Sequence, residues 1–180
     1  QFGYPAVALS PDGDTLAVGS LSLGADVTVC VFKRTGSTRS QQARLDYPEL
    51  GTELFGLFIS LSADGNTLAV SAVFDDFPVD NAGAVYVFTR SGDRWTEEAV
   101  LDASNPDPED EFGTSLSFSA DGNSLVVGAR GESSAARGVD GEQDDNSARY
   151  AGAAYVFSRA NRVWTQEAYI KASDTSEGDR

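Results

Sequence analysis

The sequence predicts an all-β protein made of β-propeller blades, with three four-stranded antiparallel repeats per chain. Three observations carry this expectation. Phe-Gly recurs at Phe2-Gly3, Phe55-Gly56 and Phe112-Gly113, 53 and 57 residues apart. An Asp-Gly pair follows each, at Asp12-Gly13, Asp64-Gly65 and Asp121-Gly122. Short runs rich in Val, Phe and Tyr, broken by 18 glycines, suit strands and tight turns better than helices.

Each repeat reads as four elements. The first is an alternating segment after Phe-Gly, such as Ser60-Leu61-Ser62 or Ser115-Leu116-Ser117-Phe118-Ser119. Asp-Gly then turns the chain, because both residues tolerate the backbone of a tight hairpin. The second strand follows as Leu16-Ala17-Val18-Gly19, Leu68-Ala69-Val70-Ser71 or Leu125-Val126-Val127-Gly128. A variable loop leads to the third, which is Val29-Cys30-Val31-Phe32, Val85-Tyr86-Val87-Phe88 or Ala154-Tyr155-Val156-Phe157. The fourth starts at Trp95 and Trp164 in repeats two and three, whereas Arg39 stands there in repeat one. The divisions expected are 1–54, 55–111 and 112–180, the last with a long acidic insertion at 130–151. One meander of this kind cannot bury both faces alone. Radial stacking of copies buries them, and the long period favours this over a twelve-stranded sandwich.

The order Phe-Gly, then Asp64-Gly65-Asn66-Thr67-Leu68-Ala69-Val70, then Gly83-Ala84-Val85-Tyr86-Val87-Phe88 resembles the bacterial FG-GAP repeat. It is similar to the blades of the integrin α-subunit propeller, and the resemblance runs the length of the chain. It implies an extracellular or cell-surface module for binding or adhesion. It also implies calcium in first hairpins of the Asp-x-Asp-x-Asp-Gly kind. The hairpins here, such as Ser62-Ala63-Asp64-Gly65-Asn66, are too short and too poor in carboxylates for the 6–8 oxygens of calcium, so they read as structural turns.

Composition narrows the chemistry. Thirteen basic and 28 acidic residues give a formal net charge of −15, which disfavours nucleic acid and favours cations or cationic partners. A single cysteine, Cys30, rules out an intrachain disulfide and reads as a small core residue. The chain has no histidine, which removes His-dependent triads and His-ligated zinc. No run approaches the ~18 apolar residues of a membrane-spanning helix. With no nucleophile motif, phosphate loop or cofactor fingerprint, the reading is a non-enzymatic protein.

Candidate sites concentrate in the variable loops. Asp140, Glu142, Asp144 and Asp145 in the third-repeat insertion could wrap a calcium ion, or could form a solvated acidic loop. Phe74 and Phe77, in the shorter second-repeat loop, are candidate ligand contacts. Trp95 and Trp164 could stack on sugars, as in propeller lectins, or could serve repeated packing between blades.

Three blades fall short of the roughly 4–8 of a closed propeller. Aligning Ala168 with Ala99 sets Arg180 opposite Glu111, just before the next Phe-Gly position. Two readings follow. In the first, two copies close head to tail into a six-bladed homodimer ring, which is preferred because open faces are an aggregation liability. Alternatively, the chain is part of a longer or engineered propeller. The functional expectation is an integrin-like adhesion module with a protein ligand, and the alternatives are a carbohydrate-binding lectin or a purely structural fragment.

Overall fold

The computed structural model describes residues 2–20, 28–46 and 54–179, so the Arg180 register lies outside the described residues. Among these residues there are thirteen strands and no helix. Blade 1 is the sheet β1 (Phe2–Leu9), β2 (Thr15–Ser20), β3 (Thr28–Thr35) and β4 (Thr38–Asp46), paired in that order. Blade 2 repeats it with β5 (Ile59–Leu61), β6 (Thr67–Ala72), β7 (Ala84–Ser91) and β8 (Arg94–Leu101). Blade 3 contains β9 (Phe112–Phe118), β10 (Ser124–Ala129), β11 (Gly138–Val139), β12 (Ala153–Ala160) and β13 (Val163–Lys171), in the order β9-β10-β12-β13-β11. Every pairing is antiparallel.

The four-strand pattern therefore holds, with one addition. The insertion returns to the sheet as β11 and pairs Gly138 with Lys171 and Val139 with Ile170. It covers part of an edge that would otherwise present unpaired backbone groups. The repeat extends to its irregularities: the third and fourth strands slip register at Val31/Phe32, Val87/Phe88 and Val156/Phe157, the same place in each blade.

The Asp-Gly hairpins share one hydrogen-bond design. The Ser62 hydroxyl donates to Asp64 Oδ1 at 2.6 Å and accepts from the Thr67 amide at 2.9 Å, while Asp64 Oδ1 accepts from the Asn66 amide at 3.0 Å. Ser10 with Asp12 and Ser119 with Asp121 make the same three bonds. The Ser hydroxyl bond and then the turn amide hold the Asp12 and Asp121 carboxyls below the usual range. For Asp64 burial pulls upward, but the Ser62, Asn66 and Arg90 contacts together outweigh it and the value is lowered. These aspartates are built into the turns.

Strand alternation gives blade 2 two apolar faces. Leu68, Val70, Ala72, Tyr86 and Phe88 face blade 1 and pack with Ala17, Val29, Val31 and Leu45. Ala69, Val85, Val87 and Leu101 face blade 3 and pack with Phe112, Leu125, Val127, Tyr155 and Phe157. The inner strands β1, β5 and β9 lie in succession, and β9 also rests on β6 and β7 of the preceding blade. The Phe-Gly pair sits at this junction. Phe55 packs edge-on against Tyr86 and Phe88 at 5.7 and 6.3 Å, and Phe112 does the same to Tyr155 and Phe157 at 5.3 and 5.9 Å. Gly56 (φ 83°) and Gly113 (φ 99°) follow in a left-handed backbone, close against the blade before. A Cβ on Gly56 would come within 2.7 Å of Val29 Cγ2, so only glycine fits there.

Candidate functional site

The loops between second and third strands of blades 2 and 3, and the connector between those two blades, emerge at the same end of the molecule. There they bond to each other. The Glu109 amide donates to Asp80 O at 3.0 Å and the Glu111 amide to Asn81 O at 3.1 Å. Asn105 Nδ2 donates to Gln143 O at 3.1 Å, and Asn146 Nδ2 to Asp107 Oδ2 at 2.8 Å. The connector of 102–111 is thus held by the short loop of blade 2 on one side and the insertion of blade 3 on the other.

Below the insertion lies a buried polar cluster. Glu132 is fully buried. Lys171 Nζ donates to its Oε2 at 2.5 Å, and the Tyr169 hydroxyl donates to its Oε1 at 2.8 Å. The Ser134 amide adds a bond at 3.1 Å. The neighbouring Tyr155 hydroxyl donates to Asn105 Oδ1 at 2.8 Å. A carboxylate in this position is stable only because a cation and several donors surround it. The cluster fixes the base of the insertion, since Ser134, Asn105 and Tyr169 belong to the loop, the connector and β13 respectively.

Ionisation reflects this crowding. Burial, followed by the negative charges of Glu132 and Asp107, pushes the Asp110 carboxyl up to about 7, against the opposing pull of the Asp107 amide and Lys171. Burial and then Glu132 raise the Tyr155 hydroxyl far above its ordinary value. Burial also raises Tyr169. Both tyrosines act as hydrogen-bond donors at all ordinary pH.

The repeat signature set out above matches a known family over residues 51–88 and 95–157, more than half of the chain, under the description FG-GAP repeat. The chain belongs to the FG-GAP repeat family. No curated protein matches it. Among solved structures it is similar to TolB from Acinetobacter baumannii, at 13% identity with a TM-score of 0.50. That match covers 92% of this chain and 32% of TolB, so the chain spans about a third of the TolB length. The likeness is one of fold, and with the family it establishes the three sheets as β-propeller blades.

In this FG-GAP protein the four carboxylates of the insertion do not converge. Asp140 Oδ1 accepts from the Tyr169 amide at 2.9 Å, and Asp145 Oδ1 accepts from the Ser147 amide at 3.0 Å. Glu142 and Asp144 are exposed. Among the described residues no three acidic groups lie close enough to hold a metal ion.

The aromatic candidates divide. Phe77 is 74% exposed at the tip of the blade 2 loop, whereas Phe74 is half-buried in the turn after β6. Trp95 is buried, and its Nε1 donates to Gln42 of blade 1 at 3.1 Å. Trp164 is half-buried, lies tilted against Phe118 with ring centres 6.1 Å apart, and donates to Glu98 of blade 2 at 3.2 Å. Both indoles therefore sit at junctions between blades.

Sequence reasoning passed over Glu132 and Lys171. The signal was present in the repeat itself. Ala168 aligns with Ala99, so Lys171 occupies the place of Asp102, and Glu132 that of Asp75. A lysine two residues after a buried tyrosine on a strand faces the same interior.

Proposed function

We propose that this protein is a non-enzymatic, extracellular adhesion-type propeller module. Its ligand surface is the end that carries the insertion, and its three blades complete a ring by self-association. The observation that carries the binding reading is the fixed presentation of this end. The insertion is tied to β13 and to the connector, while Asp144, Glu142 and the exposed ring of Phe77 face solvent. Variable loops on a rigid scaffold are where recognition concentrates. A chain of net charge −15 suits a basic protein surface, which such a field attracts over distance. The glycan reading has less support, because both indoles donate to the preceding blade.

The test is adhesion to immobilised basic matrix proteins in low and physiological salt. Binding is expected to weaken with salt, and Phe77→Ser with Glu142→Gln and Asp144→Asn should abolish it while melting is unchanged. Equal binding by that variant would refute the assignment. A calcium ion at Asp140, Glu142, Asp144 and Asp145 would require the loop to turn these groups inward. A calcium-dependent rise in melting temperature, reversed by chelator, would reveal such a rearrangement.

A further inference from the structure

The geometry points to the open face of blade 3 as the docking surface for blade 1 of a second copy of this chain, with Glu167 meeting Arg39 and Arg34 of that copy. This rests on the self-association reading above and names the surfaces and charges that would make it.

Both junctions inside the chain use one clamp. At the first, Gln42 on β4 accepts from Trp95 Nε1 at 3.1 Å and from Arg90 at 3.2 Å. At the second, Glu98 on β8 accepts from Trp164 Nε1 at 3.2 Å and pairs with Arg159 at 2.6 Å. The position is equivalent in each blade. Leu45, Leu101 and Ile170 pair with Val29, Val85 and Ala154, and the clamp residue lies three places earlier. The third clamp residue is therefore Glu167, which is exposed on blade 3.

The opposite half of the clamp is a pair facing across the third and fourth strands. Arg90 faces Trp95, Arg159 faces Trp164, and in blade 1 Arg34 faces Arg39. Both arginines are exposed, and Arg34 holds Asp14 at 2.6 Å much as Arg90 holds Asn66. Blade 1 thus offers two cations, where the first internal junction offers a cation and an indole and the second, facing a carboxylate, offers Arg159, Arg162 and an indole, and blade 3 in turn offers a carboxylate. The substitution that breaks the Trp pattern makes the two free faces complementary.

The apolar surfaces agree. At the second junction the Phe112 amide donates to Ala82 O at 2.8 Å, beside Gly83. The same place in blade 3, lined by Ala151, Gly152, Ala153 and Ala129, is an open groove of about 570 Å³. Phe2 pairs with Ser20 as Phe112 pairs with Ala129, so the start of β1 has the backbone register that the start of β9 has at the second junction. Val126 is 40% exposed on blade 3, where its counterpart Ala69 in blade 2 is fully covered. Val7 and Leu9 are exposed on blade 1, where Ile59 and Leu61 are packed against a neighbour in blade 2. A head-to-tail contact of this kind, made twice, closes two copies into six blades, within the roughly 4–8 of closed propellers.

Light scattering on the purified chain should give twice its 19.0 kDa mass. Glu167→Arg and Arg39→Glu, both at exposed positions, should each weaken the dimer at least about tenfold, with folding checked by melting. Mixing the two variants should restore a 1:1 dimer. In that ring one junction joins Arg to Glu in reversed sense and the other keeps the native pair. A wild-type monomer would overturn self-association altogether and leave a further blade of a longer polypeptide as the occupant. A dimer unaffected by either substitution, or not recovered on mixing, would overturn this interface while sparing self-association. A mass above two copies would overturn the closed ring.

Discussion

Blades 2 and 3 are built on the same aromatic corner and differ in the charges placed beside it. Phe55 with Tyr86 and Phe88, and Phe112 with Tyr155 and Phe157, repeat one edge-on arrangement. In blade 2 the Tyr86 hydroxyl donates to Asp75 at 3.0 Å, and Asp75 also accepts from the Phe77 amide. Asp102 lies near, its carboxyl raised by burial and then by the charge of Asp75. In blade 3 the same two positions are Glu132 and Lys171, closed into an ion pair. The difference follows the loops. One carboxylate suffices to cap the short loop of blade 2. In blade 3 the carboxylate also accepts one backbone amide, from Ser134, but a second tyrosine, Tyr169 of β13, bonds to it at greater depth, and that carboxylate requires a cation.

The largest expected effect comes from removing the cation. Lys171→Met leaves Glu132 buried without its partner and should lose about 3–5 kcal/mol of stability in denaturant titration. Adding Glu132→Gln should recover most of the loss, because the amide oxygen still accepts from Tyr169 and no charge remains buried. In blade 2 the reverse change, Asp102→Lys, should be neutral or stabilising, since it gives Asp75 the cation that Glu132 already has. A loss under about 1 kcal/mol for Lys171→Met would show that the two blades do not differ in this way.

A smaller effect separates a covered blade face from an open one. Gly83 and Gly152 occupy the same repeat position, with φ of 84° and 69°. A Cβ on Gly83 would lie 2.3 Å from Phe112 O, whereas at Gly152 the nearest atom is Asp179 O at 3.2 Å. Both alanine variants carry the left-handed backbone penalty of about 1–2 kcal/mol. Gly83→Ala must also displace the next blade's backbone, which adds about 1–3 kcal/mol. Measured in the Glu167→Arg background, which on the proposed interface keeps copies apart, Gly83→Ala should be the more damaging. Equal losses would mean that the Phe112 junction yields freely.

The apolar part of this architecture was legible in the sequence because it is periodic. Phe55 and Phe112, the Asp-Gly turns and the alternating Leu68-Ala69-Val70 runs recur at fixed places, and each recurrence is a packing contact. The same logic placed Trp95 and Trp164 at repeated positions, which are the blade junctions. The polar part was legible only by comparing repeats. Density of carboxylates drew attention to Asp140–Asp145, yet charge density does not say which groups face inward. Lys171 is inside because of strand parity, and Glu132 is inside because its loop turns back at Gly131. A Cβ on Gly131 would meet Glu109 O at 1.8 Å, so the loop and the connector touch there. Contacts of that kind join distant segments and leave no local period.

The smallest effect is a pH dependence that belongs to blade 3's side of the connector. The Asp110 carboxyl sits at about 7 in the folded chain, chiefly through burial and then through Glu132 and Asp107. An unfolded aspartate ionises near 3.9. Between about pH 4 and 7 the folded state therefore holds a proton that the unfolded state has lost, and stability falls as pH rises through that window. Asp110→Asn keeps an acceptor for the Asp107 amide, which donates to Asp110 Oδ2 at 3.1 Å, and removes the titration. Near pH 3, where both folded and unfolded states hold the proton, the variant and wild type should melt together. At pH 8 the variant should melt higher, by roughly 4–8 °C once solvent screening takes about half of the full shift. Asp179 makes the matching bond to the Ser176 amide at 2.8 Å on the open face of blade 3, and as an exposed position it serves as the control. If Asp179→Asn gave the same gain at pH 8, the effect would come from net charge on an acidic chain and not from the packing of blade 3 over the connector.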